Sequence, residues 1–131
     1  MTKEFQDIRT GVVGVGSMGQ NHARVYNDVS NLIGVSDLDI ETGESIANRF
    51  GVEYCADYRD LLEKVDAVSL AVPTSHHRSL AEKISSTGTH ILVEKPLAGD
   101  HHSAKAIVTA AEKSNIILAV GHIERHNEVV K

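Results

Sequence analysis

Short apolar runs rich in β-branched residues alternate with longer segments in which apolar residues recur every three or four positions. Runs of the first kind are typical of buried strands, and the second kind of spacing is typical of amphipathic helices. The pattern predicts strands at 8–15, 32–36, 52–55, 65–72, 90–94 and 116–121. It predicts helices at 17–29, 40–50, 58–62, 76–86 and 100–114. Regular alternation of strand and helix indicates parallel βαβ units.

This order of elements predicts a single α/β domain with a doubly wound, mostly parallel sheet, the Rossmann fold. Because crossovers between parallel strands are right-handed, the strand order 3-2-1-4-5-6 is the expected one. Asp39 is expected to cap the second helix and Gly51 to end it, and Gly88 to end the fourth. The residues expected to face inward from the first and last helices are Ala23, Tyr26 and Val29, then Ala104, Ile107, Val108 and Ala111.

Composition narrows the classes of function. A formal net charge of −5 argues against a nucleic-acid partner, because such partners attract clustered Lys and Arg. Every apolar run is shorter than the ~20 residues that cross a bilayer, so no membrane partner is expected. The single cysteine, Cys55, excludes an internal disulfide and favours a reducing cytoplasm. A small-molecule partner is the remaining expectation.

The motif that carries most chemistry is Gly14-Val15-Gly16-Ser17-Met18-Gly19, placed between the first predicted strand and the first predicted helix. In this setting Gly14 permits a tight turn, and Gly16 lets a pyrophosphate approach the backbone. Gly19 lets the helix pack closely on the strand. The amides at the helix start, including those of Ser17 and Met18, then face an anion. The motif predicts a dinucleotide site.

An acid at the end of the second predicted strand supports that interpretation. Asp37 lies about 20 residues after the glycines, where a carboxylate accepts hydrogen bonds from the adenosine ribose. Asp39 and Glu41 follow it, and no Lys or Arg is near to bind a 2′-phosphate. The sequence therefore favours NAD over NADP.

Three later segments carry a family resemblance: AVPTSHH at 71–77, VEKPLA at 93–98 and VGHIER at 120–125. In order and spacing they resemble the glucose-fructose oxidoreductase, inositol dehydrogenase and MocA family of NAD(P)-dependent dehydrogenases. The likeness implies further cofactor contacts, at Val72, Pro73, Thr74, His77, Glu94, Lys95 and Pro96. Thr74 stands where the family usually has Asn.

The resemblance also implies a reaction. Lys95 is expected to be the catalytic residue, contacting both the cofactor and the substrate hydroxyl whose carbon loses hydride, and a cis peptide bond is expected before Pro96. The segment at 121–125 is most similar to the subgroup that oxidises UDP-N-acetylhexosamines, in which Arg125 would contact a nucleotide-sugar phosphate. His126 and Glu128 depart from that subgroup's pattern.

Family members continue into a second domain that completes the substrate pocket. The resemblance therefore implies an NAD(P)-binding domain at 1–121 and a passage toward a substrate domain at 122–131. We expect this chain alone to bind NAD with negligible turnover. The full enzyme could form a homo-oligomer, a question that the sequence leaves open.

Two other classes of function stay open. The first is a regulatory module that binds NAD without chemistry, and the second is a methyltransferase that binds S-adenosylmethionine. No metal is expected, because His122, Glu124 and His126 do not follow the His-Glu-x-x-His spacing of zinc enzymes.

Overall fold

A computed structural model describes residues 5–121 of the chain. The strands are β1 (Arg9–Val13), β2 (Asn31–Ser36), β3 (Glu53–Cys55), β4 (Ala67–Leu70), β5 (His90–Glu94) and β6 (Leu118–Gly121). The helices are α1 (Ser17–Val29), α2 (Ile40–Phe50), α3 (Tyr58–Leu62), α4 (His77–Ser86) and α5 (His101–Ser114). Short 3₁₀ turns lie at Phe5–Asp7 and Thr74–His76.

The strands form one parallel sheet in the order β3-β2-β1-β4-β5-β6, which confirms the predicted topology. The chain leaves β1 toward β2 on one side and later returns beside β1 as β4. Ligands of such sheets bind in the crevice at this reversal, outside the carboxyl ends of the strands. The fold therefore places the glycine turn after β1 at the switch point.

Local signals explain why the helix ends were predictable. The Asp39 side chain accepts from the Thr42 amide at the start of α2, and Gly51 ends that helix with a left-handed φ of 65°. At the start of α5, Asp100 accepts from the Ser103 amide at 2.7 Å, a contact that lowers the pKa of the Asp100 carboxyl. No helix within 5–121 has both the length and the apolar character to cross a membrane.

Two of the predicted inward residues were wrong. Val29 is 50% exposed and Val108 is 39% exposed. At 100° per residue, Val29 lies about 120° around α1 from the buried Ala23, off the stripe that faces the sheet. Val108 lies about 100° around α5 from the buried Ile107. The buried residues of α5 are Ile107 and Ala111.

The core has a layer on each face of the sheet, because neighbouring residues of β1 point to opposite faces. Val12 packs with the residues of α1 and α2, whereas Val13 packs with those of α3, α4 and α5. Leu61 of α3 is fully buried in the second layer. A Cβ on Gly11 would lie 2.9 Å from its side chain, so the absence of a side chain at Gly11 makes room for it.

Replacing Leu61 by alanine is expected to lower the free energy of unfolding by about 2 to 5 kcal/mol, through lost burial and the cavity left behind. Chemical denaturation measures this change. The matched control is Leu38→Ala, at a side chain that is 97% exposed. A loss of similar size for both variants would contradict this description of the core.

Candidate functional site

The turn after β1 is built on glycines that no other residue replaces without a clash. Gly14 has a φ of 92°, and its amide donates to the Ser36 carbonyl at 2.8 Å. A Cβ on Gly14 would lie 2.5 Å from the Ala71 carbonyl oxygen. One on Gly19 would overlap the Gly14 carbonyl oxygen. These two glycines fix the turn and hold α1 close against it.

Gly16 is different, because space around it is open. It is the N-cap of α1, and an added Cβ would meet no atom of the described residues within 4 Å. No side chain caps this helix start among those residues, and Ser17 and Met18 of its first turn are exposed. The amides at this end and the helix dipole are therefore accessible to an anion.

Asp37 faces the glycine turn. One carboxylate oxygen accepts from the Val15 amide at 2.8 Å, and the other accepts from the Asp39 amide at 2.8 Å. The half-buried carboxylate keeps further lone pairs for a ligand. The contact with Val15 ties the end of β2 to the turn after β1, so the acid and the glycines belong to one site.

Tyr54 holds the backbone at Asp37, a contact that the sequence reasoning missed. Its hydroxyl donates to the Asp37 carbonyl at 2.8 Å. Burial first, and then the Asp37 charge, raise the pKa of Tyr54, so this hydroxyl stays a donor at neutral pH. A Cβ on Gly43 would overlap the Tyr54 ring, so glycine at 43 gives the ring its place against α2.

A cleft of about 680 Å³ lies at the carboxyl ends of β1 to β4, bordered by Gly14, Gly16 and Asp37. Its size lies within the range typical of small-molecule sites. Five predicted site residues line it, namely Gly14, Gly16, Asp37, Val72 and Pro73. Lining residues that the sequence reasoning did not identify include Leu38, Ala56, Asp57, Tyr58, Ser79 and Leu80. The cleft thus adds an apolar wall to the predicted polar contacts.

His77 connects two loops beside the cleft. Its ring is buried, with Nδ1 3.0 Å from the Leu97 carbonyl oxygen and Nε2 2.9 Å from that of Val72. The ring thus reaches the cleft wall through Val72. Thr74 lies in the preceding 3₁₀ turn and is half-buried. Direct contact of either residue with a cofactor stays a prediction.

The Glu-Lys-Pro segment lies at the carboxyl end of β5. The peptide bond between Lys95 and Pro96 is cis, which confirms the expectation. Glu94 is buried and Lys95 is exposed. The roles of Glu94, Lys95 and Pro96 toward cofactor and substrate stay predictions, and Arg125 lies outside the described residues.

Polar residues that the sequence reasoning did not connect lie under this segment. His22 contacts the Glu94 carboxylate through Nε2 and Ser69 through Nδ1, and Tyr26 contacts Ser69 as well. A signal was present, because His22 and Tyr26 are four residues apart on one face of α1 and Ser69 interrupts an apolar strand.

Both the sequence and the fold of this chain are similar to those of a known dehydrogenase. The chain is 38% identical over 124 residues to UDP-N-acetylglucosamine 3-dehydrogenase of Acidithiobacillus ferrooxidans, covering 95% of this chain and 40% of that protein. A crystal structure of that enzyme superimposes with a TM-score of 0.92, covering 95% of this chain and 41% of that one. The chain thus spans about two-fifths of this relative's length.

Two other solved structures differ in the cofactor they contain. GenD2 from gentamicin A biosynthesis, in complex with NAD, is 31% identical with a TM-score of 0.85, covering 92% of this chain and 36% of that one. KijD10, a 3-ketoreductase from Actinomadura kijaniata in complex with NADP and TDP-benzene, is 25% identical with a TM-score of 0.84. That match covers 92% of this chain and 39% of KijD10.

The family described as "Oxidoreductase family, NAD-binding Rossmann fold" matches residues 8–122, which is most of the chain. That match spans the glycine turn, Asp37, the cleft and the Glu-Lys-Pro segment. This chain therefore belongs to the GFO/IDH/MocA family of oxidoreductases, as an NAD-binding Rossmann domain of that family.

Proposed function

We propose that the chain holds NAD in the cleft at the switch point and serves the oxidation of a sugar or nucleotide sugar, in which a carbon that bears a hydroxyl group gives its hydride to NAD. The observation that carries the proposal is the contact between the Val15 amide and the Asp37 carboxylate. It joins an anion-binding turn and a ribose-binding acid in one site. The substrate class follows from the name of the similar enzyme, a UDP-N-acetylglucosamine 3-dehydrogenase.

The residues present fit the cofactor. The start of α1 offers amides, and Gly16 has no Cβ to keep a diphosphate at a distance. Asp37 would bind the hydroxyls of the adenosine ribose, and Tyr58 and Leu80 add apolar surface beside it. When bound, NAD supplies a nicotinamide ring that accepts hydride.

Acidic residues around the ribose site support NAD over NADP. Asp37, Asp39 and Glu41 lie at the end of β2 and the start of α2. A like charge at ~4 Å costs on the order of 4 kcal/mol at an effective dielectric of ~20, before solvent and ions screen it. A 2′-phosphate would therefore be repelled. Because a similar structure contains NADP, these local acids decide the preference rather than the family.

Lys95 is the proposed catalytic residue. It lies at the carboxyl end of β5, on the side of the switch point opposite Asp37. As the uncharged amine, its Nζ would accept a hydrogen bond from the reacting hydroxyl and take its proton, while the carbon gives its hydride to bound NAD. Arg125 is proposed to contact a substrate phosphate.

We also propose that the partner is a small molecule and that the protein works in the cytoplasm. The net charge of −5 disfavours nucleic acid. Cys55 is a buried thiol whose pKa is raised mainly by burial, so it is held mostly as the unreactive thiol.

The test is Asp37→Ala, with affinities for NAD and NADP measured by calorimetric titration. We expect NAD to bind about tenfold more weakly and NADP to bind as tightly as before or more tightly, because the carboxylate binds the ribose hydroxyls of NAD and repels the 2′-phosphate of NADP. The control, Asp28→Ala, removes an exposed acid of α1 and leaves both affinities unchanged. Equal losses for both cofactors in Asp37→Ala would contradict the ribose role.

Two further measurements separate the other functions. A titration in which S-adenosylmethionine binds and NAD does not would favour a methyltransferase. In protein that also carries a substrate domain, sugar-dependent formation of NADH, lost in Lys95→Met, would support the dehydrogenase proposal over a regulatory module.

A further inference from the structure

Four polar side chains form a continuous chain of hydrogen bonds beneath the Glu-Lys-Pro segment. The Tyr26 hydroxyl lies 2.6 Å from Ser69 Oγ, which lies 2.8 Å from His22 Nδ1. His22 Nε2 in turn contacts Glu94 Oε1. Ser69 is fully buried, and the side chains of His22 and Glu94 are 13% and 11% exposed. These hydrogen bonds run from α1 to β4, back to α1 at His22, and on to the end of β5.

The donors and acceptors in this series of hydrogen bonds indicate which atoms carry the protons. An ionised Glu94 only accepts, so His22 Nε2 donates to it, and the Nδ1 of a neutral ring accepts from Ser69. Ser69 Oγ then accepts from Tyr26, whose pKa burial raises, so that it stays a phenol donor. Every group in the chain is satisfied, and all the bonds point toward Glu94.

A doubly protonated His22 fits less well. Its Nδ1 would donate to Ser69, and Ser69 would then either donate to Tyr26 or accept from Tyr26 as well. The hydrogen of Tyr26 in the first case, or that of Ser69 in the second, would have no acceptor among the contacts of the described residues, which is costly for a buried hydroxyl. A neutral His22 ring therefore satisfies the donors and acceptors of these hydrogen bonds better.

Glu94 lies in the half of the sheet where the nicotinamide belongs. A dinucleotide lies across the switch point, with one half on each side. Asp37 at the end of β2 sets the adenosine side, so the nicotinamide side is that of β4 and β5. A Cβ on Gly121 of β6 would lie 3.4 Å from the Glu94 carboxylate, so β6 passes close beside it. The carboxylate is thus enclosed near the expected position of the ring.

We propose that Tyr26, Ser69 and His22 are positioning residues that hold Glu94 as a fixed carboxylate, whose charge makes the site prefer oxidised over reduced nicotinamide. The inference rests on the proposed function. The oxidised ring is a cation and the reduced ring is neutral, whereas the adenosine and diphosphate are the same in both. The ratio of the NAD and NADH affinities therefore isolates the effect of the Glu94 charge.

The test measures this ratio by calorimetric titration in the wild-type chain, Glu94→Gln, Ser69→Ala and a control. Glu94→Gln keeps an oxygen that accepts from His22 but removes the charge, so the NAD-to-NADH affinity ratio should fall about fivefold. Ser69→Ala removes the bond that fixes the His22 ring, and the ratio should fall about twofold. The control is Ser85→Ala, a buried serine of α4 whose hydroxyl has no partner among the described residues, and the ratio should not change.

A second readout follows the His22 ring. In wild-type protein at neutral pH, the ¹⁵N shifts of His22 should show a protonated Nε2 and an unprotonated Nδ1. In Ser69→Ala the ¹⁵N shifts should show a mixture of the two neutral tautomers of His22. A doubly protonated His22 in the wild type would overturn the proton assignment.

The outcomes separate this inference from the proposed function. If wild-type chain binds neither NAD nor NADH, the proposed function itself fails. If both bind and Glu94→Gln leaves the ratio unchanged, or weakens both equally, the inference is overturned while the proposed function stands.

Discussion

Replacing Gly19 by alanine is expected to lower the free energy of unfolding by about 3 kcal/mol or more and to abolish measurable NAD binding. The added Cβ would overlap the backbone oxygen of Gly14, which cannot rotate away as a side chain can. Gly14 is itself fixed by its bond to Ser36 and by the nearby Ala71 carbonyl. Relief therefore requires α1 to move off the sheet, which displaces the amides that would bind the diphosphate.

Chemical denaturation and calorimetric titration measure the two effects. The matched control is Gly99→Ala, because a Cβ there meets no described atom within 4 Å and its φ is ordinary. Its stability should stay within about 0.5 kcal/mol of wild type. A Gly19→Ala protein as stable as this control would show that α1 does not pack against the turn as described.

Gly16→Ala is expected to separate binding from folding. Here the added Cβ points into open space, so the free energy of unfolding should fall by at most about 1 kcal/mol, the cost of a poorer N-cap. NAD affinity should fall about tenfold or more, because the Cβ occupies the space through which a diphosphate approaches the amides of α1. The same titration measures it, with Gly99→Ala again as the control.

Wild-type affinity in Gly16→Ala would place the diphosphate elsewhere. A large loss of stability in the same variant would be equally informative, since it would mean that the space around Gly16 is filled. The contrast with Gly19→Ala is therefore the sharper observation, because both variants add one methyl group within a single turn.

Local signals made much of the fold and the glycine turn predictable. The glycine roles followed from spacing after a strand, and the ends of α2 from Asp39 and Gly51, which act through neighbours in sequence. The bounds of α1, α2, α3 and β5 agree with the prediction residue for residue. The predicted strands at 8–15, 65–72 and 116–121 were too long, because their apolar runs continue into turns and loops, where residues such as Val15, Val65 and Val72 are buried or half-buried.

Contacts between distant residues could not be predicted in this way. His22 meets Glu94 across 72 positions, and Tyr26 meets Ser69 across 43, so neither partner marks the other in the sequence. Tyr54 beside Asp37 depends on the register of β3 against β2. The His77 ring contacts the carbonyls of Val72 and Leu97, which only the folded loops bring together, and its contact with a cofactor stays a prediction.

We propose above all that NAD lies on the glycine turn at the start of α1. The most direct test follows the backbone amide signals by NMR as NAD is added to the wild-type chain. We predict the largest shifts at Val15, Gly16 and Ser17, with a second group around Asp37. Shifts confined to the groove of about 450 Å³ lined by residues of α4 and α5, such as Glu82 and Lys105, would contradict it.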